Sequence, residues 1–475
     1  MNRKQRRAEA KTGGSAMQAV PSVTRPLFMA GLRHHQAGRL DEAERLFRQV
    51  LAISPRQTES LQMLGTIAYQ TGRHDLAFDL IRKAVVSNPG DASAHSNLGN
   101  LLLQQGRLDE AIASYRRALD RKPDLPEALN NLGNALKARK RFDEAVASYR
   151  RALALKPDDP DVHYNLGMAL LARGDMPAGW EEHEWRWKTP QLSPAHRGFV
   201  QPQWRGEAGE GRTLLVHAEQ GFGDTLQFCR YAPLAAARGL RVVLDVPRPL
   251  VRLLRSLSGA DQIVANGEAL PPFDLHCPML SLPLALGTTI TTIPGDAPYL
   301  HAEATQVAAW RTRLGALNNH GPRIGLAWAG NPRAHLLAAA AAGRRRSMNP
   351  ELLAPLFGVP ERHFFSLQKD GPAAPPGFPL TDFMGEMEDF ADTAALIANL
   401  DLVISVDTAV AHLAAASGKP VWLLDRFDTC WRWLDGRRDS PWYPGLRLYR
   451  QPQPGDWDSV LAEVARDLRD LTAAC

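Results

Sequence analysis

Gly65, Gly99, Gly133 and Gly167 stand 34 residues apart, and so do Pro55, Pro89, Pro123 and Pro157. Ala43, Ala77, Ala111 and Ala145 keep the same interval. Three residue classes in phase constrain the chain more than any other feature. A 34-residue period is one helix–turn–helix unit, too small to bury its own apolar face and therefore stacked into a solenoid. Regular repeats are expected from about 25 to 159, after a basic, polar tail over 1–24 without periodicity. In each repeat the small residues let helix A and helix B approach, the larger ones fill the groove between repeats, and the proline ends helix B.

Repeat three reads Leu98, Gly99, Leu102, Ala111, Tyr115, Ala118, Pro123, and repeat four reads Leu132, Gly133, Leu136, Ala145, Tyr149, Ala152, Pro157. These residues resemble the tetratricopeptide repeat. A fifth repeat decays: Gly167 remains, but Gly179 replaces the alanine and Trp180, Trp185 and Trp187 appear. Such a change is expected where a solenoid closes against another domain. Asn97, Asn131 and Asn165 recur on helix A, with Asn100 and Asn134 one turn on. Helix A lines the concave face, so stacked amides there are expected to hydrogen-bond an extended peptide or protein partner without reading its sequence. The alternative is that they satisfy inter-repeat groups. The protein O-linked N-acetylglucosamine transferases are similar in carrying such a ladder.

The whole chain has 475 residues, more than one core can organise. Its net charge of +5 is mild and partly confined to the first eleven residues, so nucleic acid is not an expected partner. Four scattered cysteines without a Cys-x-x-Cys pair suggest neither a zinc site nor a disulfide framework. No secretory signal and no transmembrane run are apparent, and a cytoplasmic location is expected.

From about residue 212 the pattern changes. Apolar, β-branched runs alternate with helical stretches: Thr213–His217, Arg241–Val246, Phe273–Cys277, Arg323–Trp328, His363–Gln368, Leu402–Val406 and Pro420–Leu424. This cadence predicts parallel α/β sheets. A poorly patterned stretch, Leu314–Pro322, divides two doubly wound halves, and Trp457–Leu471 reads as an amphipathic closing helix.

Two clusters carry candidate chemistry. The first strand runs into Glu219-Gln220-Gly221-Phe222-Gly223-Asp224-Thr225. As a dinucleotide fingerprint, with Asp245 for a ribose, it is disfavoured because Leu226 replaces the third glycine and an acid inside the turn repels a pyrophosphate. Asp224 is then either a general base at the mouth of a cleft or the cap of a helix. In the second cluster a buried strand ends in Val406-Asp407-Thr408, and Ala409-Val410-Ala411-His412 begins a helix at once. Ligands of open α/β sheets bind at the carboxyl ends of strands. Thr408 and the N–H groups after it would hold a phosphate, with His412 facing the same cleft. Otherwise Asp407 is a cap and His412 a packed core residue.

Gly-Phe-Gly-Asp in the first half and Val-Asp-Thr-Ala-Val-Ala-His-Leu-Ala-Ala-Ala in the second resemble the paired signatures of glycosyltransferase family 9, the heptosyltransferase type. The resemblance covers roughly 195–475. It implies a GT-B fold of two Rossmann-like halves, so the expected organisation is solenoid 25–190, acceptor half 191–313 and nucleotide-sugar half 314–475. It also implies inverting, metal-independent transfer from a nucleotide-diphosphate sugar, with no cofactor. In this resemblance Asp224 is the base, Asp407 contacts the donor sugar, and Thr408 and His412 lie near the diphosphate. Lys369 resembles a phosphate-neutralising basic residue, the alternative being a solvated surface lysine, and Gly221 and Gly223 belong to the substrate-binding turn. The Asp-x-Asp pairs at Asp159 and Asp456 do not follow core strands, which disfavours metal use. One departure stands out: after Trp328-Ala329-Gly330-Asn331-Pro332 come His335, an alanine run and Arg344-Arg345-Arg346. The arginines would grip phosphate or lie in a solvated loop. The expected protein is a glycosyltransferase fused to a protein-docking solenoid. The alternative is a non-catalytic scaffold with a degenerate sugar-nucleotide domain.

Overall fold

The computed structural model describes residues 23–317, 321–331 and 343–471. The chain forms two compact units, Met1–Val162 and His163–Cys475. The first is built from helical hairpins: α1 (Arg25–Gln36) with α2 (Leu40–Ile53), α3 (Thr58–Gln70) with α4 (His74–Ser87), α5 (Ala92–Gln104) with α6 (Leu108–Arg121), and α7 (Pro126–Ala138) with α8 (Phe142–Leu155). Each of Pro55, Pro89, Pro123 and Pro157 lies two residues beyond the end of a B helix, where it no longer breaks a helical bond.

The 34-residue glycine has a steric cause. A Cβ on Gly31 would stand 2.8 Å from the Phe47 ring, on Gly65 2.7 Å from Ile81, on Gly99 2.6 Å from Tyr115 and on Gly133 2.5 Å from Tyr149. The opposing residue lies sixteen positions on in every case, one hairpin away. Ala43, Ala77, Ala111 and Ala145 are fully buried beside these contacts. Helix A and helix B therefore meet through a glycine on one side and an alanine on the other, which leaves room for one large side chain per hairpin. The turns between them need a left-handed residue, supplied by Gly38, Gly72 and Gly106 (φ 75°, 77° and 74°) and, in the fourth hairpin, by Lys140 at φ 62°.

The second unit begins inside α9 (Pro160–Arg173), which is followed by α10 (Met176–His183). Trp180 of α10 is buried, donates its indole N–H to the Thr288 carbonyl at 3.2 Å, and meets Trp431 edge-on at 5.2 Å. Trp180 of the decaying repeat thus joins this hairpin to the α/β body.

That body holds two wholly parallel sheets. One contains β1 (Thr213–His217), β2 (Arg241–Val246), β3 (Gln262–Ala265) and β4 (Leu275–Pro278) in the order β3-β2-β1-β4. The other contains β5 (Arg323–Ala327), β6 (His363–Ser366), β7 (Leu380–Asp382), β8 (Leu402–Val406), β9 (Val421–Asp425) and β10 (Leu446–Arg450) in the order β10-β9-β8-β5-β6-β7. Strands β1, β8 and β9 are buried at every residue, which is why each reads as a continuous apolar run. Strands β3, β7 and β10 are absent from the sequence expectation, and all three are edge strands. β3 and β7 are only four and three residues long and partly exposed, and the arginines of β10 interrupt its apolar run, so no continuous apolar run marks any of the three. The expected runs at Phe273–Cys277, Arg323–Trp328, His363–Gln368 and Pro420–Leu424 are shifted or trimmed by one or two residues.

Further helices are α11 (Phe222–Phe228), α12 (Phe390–Ile397), α13 (Ala409–Ala416) and the expected closing helix α14 (Trp457–Arg469). The first acid of each Asp-x-Asp pair caps a helix. Asp456 accepts the Ser459 N–H at 3.0 Å, and Asp159 accepts that of Val162 at 3.3 Å. Among the described residues no helix is long and apolar enough to cross a membrane.

Candidate functional site

The site is assembled where β1 and β8 end. Beyond β1, the loop to α11 is fixed by Glu219. Its buried carboxylate takes the fully buried Arg186 guanidinium in two bonds of 2.8 and 2.9 Å and the Leu280 N–H at 3.0 Å. Burial raises the Glu219 pKa, and the Arg186 charge works against that rise. Gly221 then caps α11, and Asp224 in the first turn reaches back to accept the Gly221 N–H at 2.9 Å. Asp224 is thus not the N-cap itself, which is Gly221, but closes the capping bond from the first turn. Its other oxygen, Oδ1, pairs with the Arg432 guanidinium.

Beyond β8, Asp407 and Thr408 lead into α13. Thr408 is the N-cap residue, but its side chain makes no cap bond; its hydroxyl lies 3.0 Å from Ser405 Oγ. Asp407 is not a cap either: its Oδ1 stands 3.8 Å from His412 Nε2. His412 is buried, bonded through Nδ1 to the Tyr443 hydroxyl at 2.9 Å, and stacked on Trp433 with centroids 5.4 Å apart. Burial pushes its pKa down to about 4 although Asp407 pulls it up, so the ring is neutral at pH 7.

The two clusters meet. A Cβ on Gly223 would stand 2.9 Å from His412 Cδ2 and 3.7 Å from the Ala409 Cα. Gly223 is a glycine because α11 and α13 touch there, a packing reason rather than a ligand-binding one. Asp224 and the Asp407–His412 segment, 183 residues apart in sequence from acid to acid, thus face one another in one place.

Lys369 is elsewhere. It lines a separate cavity of about 390 Å³ at the ends of β5, β6 and β7 with Trp328, Gln368 and Asp382, and its ammonium donates to the Met384 carbonyl at 3.2 Å and to that of Met387. Asp245, the ribose candidate of the dinucleotide reading, is fully buried and paired with Arg197, so no ribose reaches it. Of the altered loop, His335 and the alanine run lie outside the described residues. Arg345 pairs with Asp428 at 3.0 Å, and Ser347 Oγ accepts the Gly330 N–H at 3.1 Å.

The central residue that sequence reasoning missed is Arg432. Nε donates to Gln227 at 2.6 Å, Nη1 to Cys430 Sγ at 3.3 Å, and the planar group lies 4.4 Å from the Trp431 ring centroid. Arg230 forms a second buried cation, bound to the Pro294 and Trp442 carbonyls and the Tyr299 hydroxyl at 2.6–3.0 Å. The one local signal was Cys430-Trp431-Arg432-Trp433, an arginine between tryptophans.

The first unit carries its own concavity, about 450 Å³, walled by Gly65, Thr66, Tyr69, Leu103 and Gln104 together with Asn97, Asn100, Asn131 and Asn134. Several amides are partly used within the fold. Asn97 donates to Gln62 at 2.9 Å, Asn131 to Asn100 at 2.9 Å, and the Tyr115 and Tyr149 hydroxyls donate to Asn100 and Asn134 at 2.7 and 2.8 Å. The asparagines thus serve bonds within and between repeats, the alternative role, while also lining the groove. Asn165 falls in the second unit and is not part of that lining.

Residues 28–92, 63–126 and 133–174 match tetratricopeptide repeat families, and residues 373–424, which include Asp407, Thr408 and His412, match glycosyltransferase family 9 (heptosyltransferase). Protein FlbA of Caulobacter vibrioides is 28% identical over 331 residues, covering 63% of this chain and 54% of FlbA, so the chain spans about half the length of that relative. Among solved structures, MamA is similar at 22% identity over 35% of this chain and 97% of its own, with a TM-score of 0.31. YrrB, described as a TPR protein with an unusual peptide-binding site, is similar at 17% identity over 34% and 84%, with a TM-score of 0.30. The chain thus carries tetratricopeptide repeats, and its second unit, a parallel α/β body, carries a glycosyltransferase family 9 match over 373–424, which includes β8 and α13.

Proposed function

We propose that the second unit is a GT-B glycosyltransferase that moves a sugar from a nucleotide-diphosphate sugar to a hydroxyl, with inversion and without a metal. The observation that carries this reading is the apposition of Asp224 with Asp407, Thr408 and His412 where β1 and β8 end. Transfer places positive character on the anomeric carbon and negative charge on the departing diphosphate. It therefore needs a proton acceptor on one side and donors or cations on the other. Asp224 takes the proton of the acceptor hydroxyl. Asp407 orients the donor sugar. Thr408 and the first N–H groups of α13 face the diphosphate, and the neutral His412 holds that turn in place through Tyr443 and Trp433. The nucleotide end lies toward the cavity walled by Lys369. The acceptor half is 191–313 and the donor half 314–475.

The first unit docks the acceptor. Its groove is uncharged, rich in amides and open to an extended chain, which suits a peptide or protein partner. The acceptor is then a Ser or Thr hydroxyl of that partner or a glycan it carries.

Incubating the full chain with UDP-, GDP-, ADP- and CMP-sugars in a melting assay identifies the donor, because a ligand bound only by the folded state raises the melting temperature. With that donor, Asp224→Asn is expected to lower transfer by about 10²–10⁴-fold, the usual contribution of a positioned base. Unchanged transfer in this variant removes Asp224 as the base. Absence of any transfer or hydrolysis by the unaltered chain, with donor binding intact, favours the scaffold reading.

A further inference from the structure

We propose that Arg432 is exchanged between Asp224 and the diphosphate of the donor, so that donor binding releases Asp224 to accept the acceptor's proton. This rests on the transferase reading above. Arg432 reaches from the loop after β9 to α11, across 208 residues of sequence. Its side chain is 11% exposed, and its charge is met by the Asp224 carboxylate. That carboxylate is occupied on both sides, by Arg432 at Oδ1 and by the Gly221 N–H at Oδ2. Each oxygen keeps a second lone pair, but a proton placed on Asp224 while Arg432 is paired to it cancels that ion pair, so the proton is taken at lower cost once Arg432 has another anion to meet.

The Gly221 bond belongs to the backbone of α11 and is fixed. Arg432 is the partner that can be drawn away. Its weakest contact is Nη1 to Cys430 Sγ at 3.3 Å, because sulfur is a poor acceptor. Trp433, the next residue, stacks on His412 with centroids 5.4 Å apart, which sets Arg432 beside the β8 end as well as beside Asp224. A diphosphate beside Thr408 offers two negative charges and planar, two-oxygen acceptance to a guanidinium, a stronger partner than one carboxylate.

The step then balances. The acceptor O–H bond breaks with its proton passing to Asp224 Oδ1. The acceptor oxygen bonds to the anomeric carbon. The bond from that carbon to the diphosphate oxygen breaks, and the electron pair leaves on that oxygen, where Arg432 neutralises it. Donor therefore binds before productive acceptor.

The test is calorimetric titration of inorganic pyrophosphate into the full chain. Asp224→Asn removes the competing charge and is expected to tighten binding by about tenfold, while Arg432→Gln weakens it by at least about tenfold. Glu388→Gln, an exposed acid lining a different cavity, is expected to leave affinity within about twofold. Equal or weaker binding by Asp224→Asn overturns the proposal, and this arm stands even if Arg432→Gln does not fold. Equal tightening by Glu388→Gln also overturns it, since net charge then explains the effect, as does failure of the unaltered chain to bind pyrophosphate. The two readings fail separately. The tightening without any sugar transfer refutes the transferase but keeps the exchange, whereas transfer with no tightening refutes the exchange alone.

Discussion

Replacing Gly223 by alanine tests the contact on which the site depends. Gly223 lies in the first turn of α11 with no left-handed φ, so its backbone accepts alanine, and helix propensity alone favours the change by up to about 1 kcal/mol. Against this, the new methyl would stand 2.9 Å from His412 Cδ2, where van der Waals contact begins near 3.4 Å. The imidazole cannot swing aside, because Tyr443 holds Nδ1 at 2.9 Å and Trp433 covers its face. Overpacking a rigid site costs about 1–3 kcal/mol, more than the propensity gain. Urea unfolding followed by tryptophan fluorescence isolates the second unit, since all 11 tryptophans lie at or after residue 180. A lower midpoint at unchanged slope is expected. In a His412→Ala background the same substitution should become neutral or stabilising, a coupling of about 1–3 kcal/mol between the two positions. If Gly223→Ala stabilises the chain in both backgrounds, α11 and α13 do not touch and the site as built here is wrong.

The pH dependence carries a defined sign. The folded pKa of His412, about 4, lies below its ordinary 6.5, so stability is flat above pH 6.5 and falls as pH drops toward 4 because only the unfolded chain takes the proton. The total is about 3 kcal/mol, and His412→Asn should reduce the slope near pH 5 by about 1.4 kcal/mol per pH unit; an unchanged slope in urea titrations refutes the burial of this ring. His217, pushed down to about 3 by burial and by His276, adds a loss of the same sign. In the first unit, Lys140 occupies the left-handed turn position that glycine fills in three other hairpins. Lys140→Gly should raise stability by about 1 kcal/mol in thermal melts followed by circular dichroism, and a loss of stability would show that the lysine side chain matters more than its strain.

Much of the fold was legible because it is local. The 34-residue period carries the hairpins, since a glycine and the large residue sixteen positions on meet within one hairpin. Fully buried strands such as β1, β8 and β9 announce themselves as apolar runs. The edge strands β3, β7 and β10 did not, since burial on one or both faces is set by neighbours the local sequence does not name. The candidate site divides in the same way. Asp224, Asp407, Thr408 and His412 were legible as turns after strands. Lys369, read the same way, lies instead at a separate cavity with its ammonium bound to two carbonyls.

The amino-acid order by itself determined the repeat, the alternation of strands and helices, and the two turns that carry acids. Only tertiary structure decided that these turns touch, that His412 is neutral, and that Arg432 lies between them. Helical and strand periodicities arise from hydrogen bonds and packing a few residues apart. A part-buried ion pair between residues 224 and 432 arises from two sheets brought together, and no short window of sequence encodes that distance.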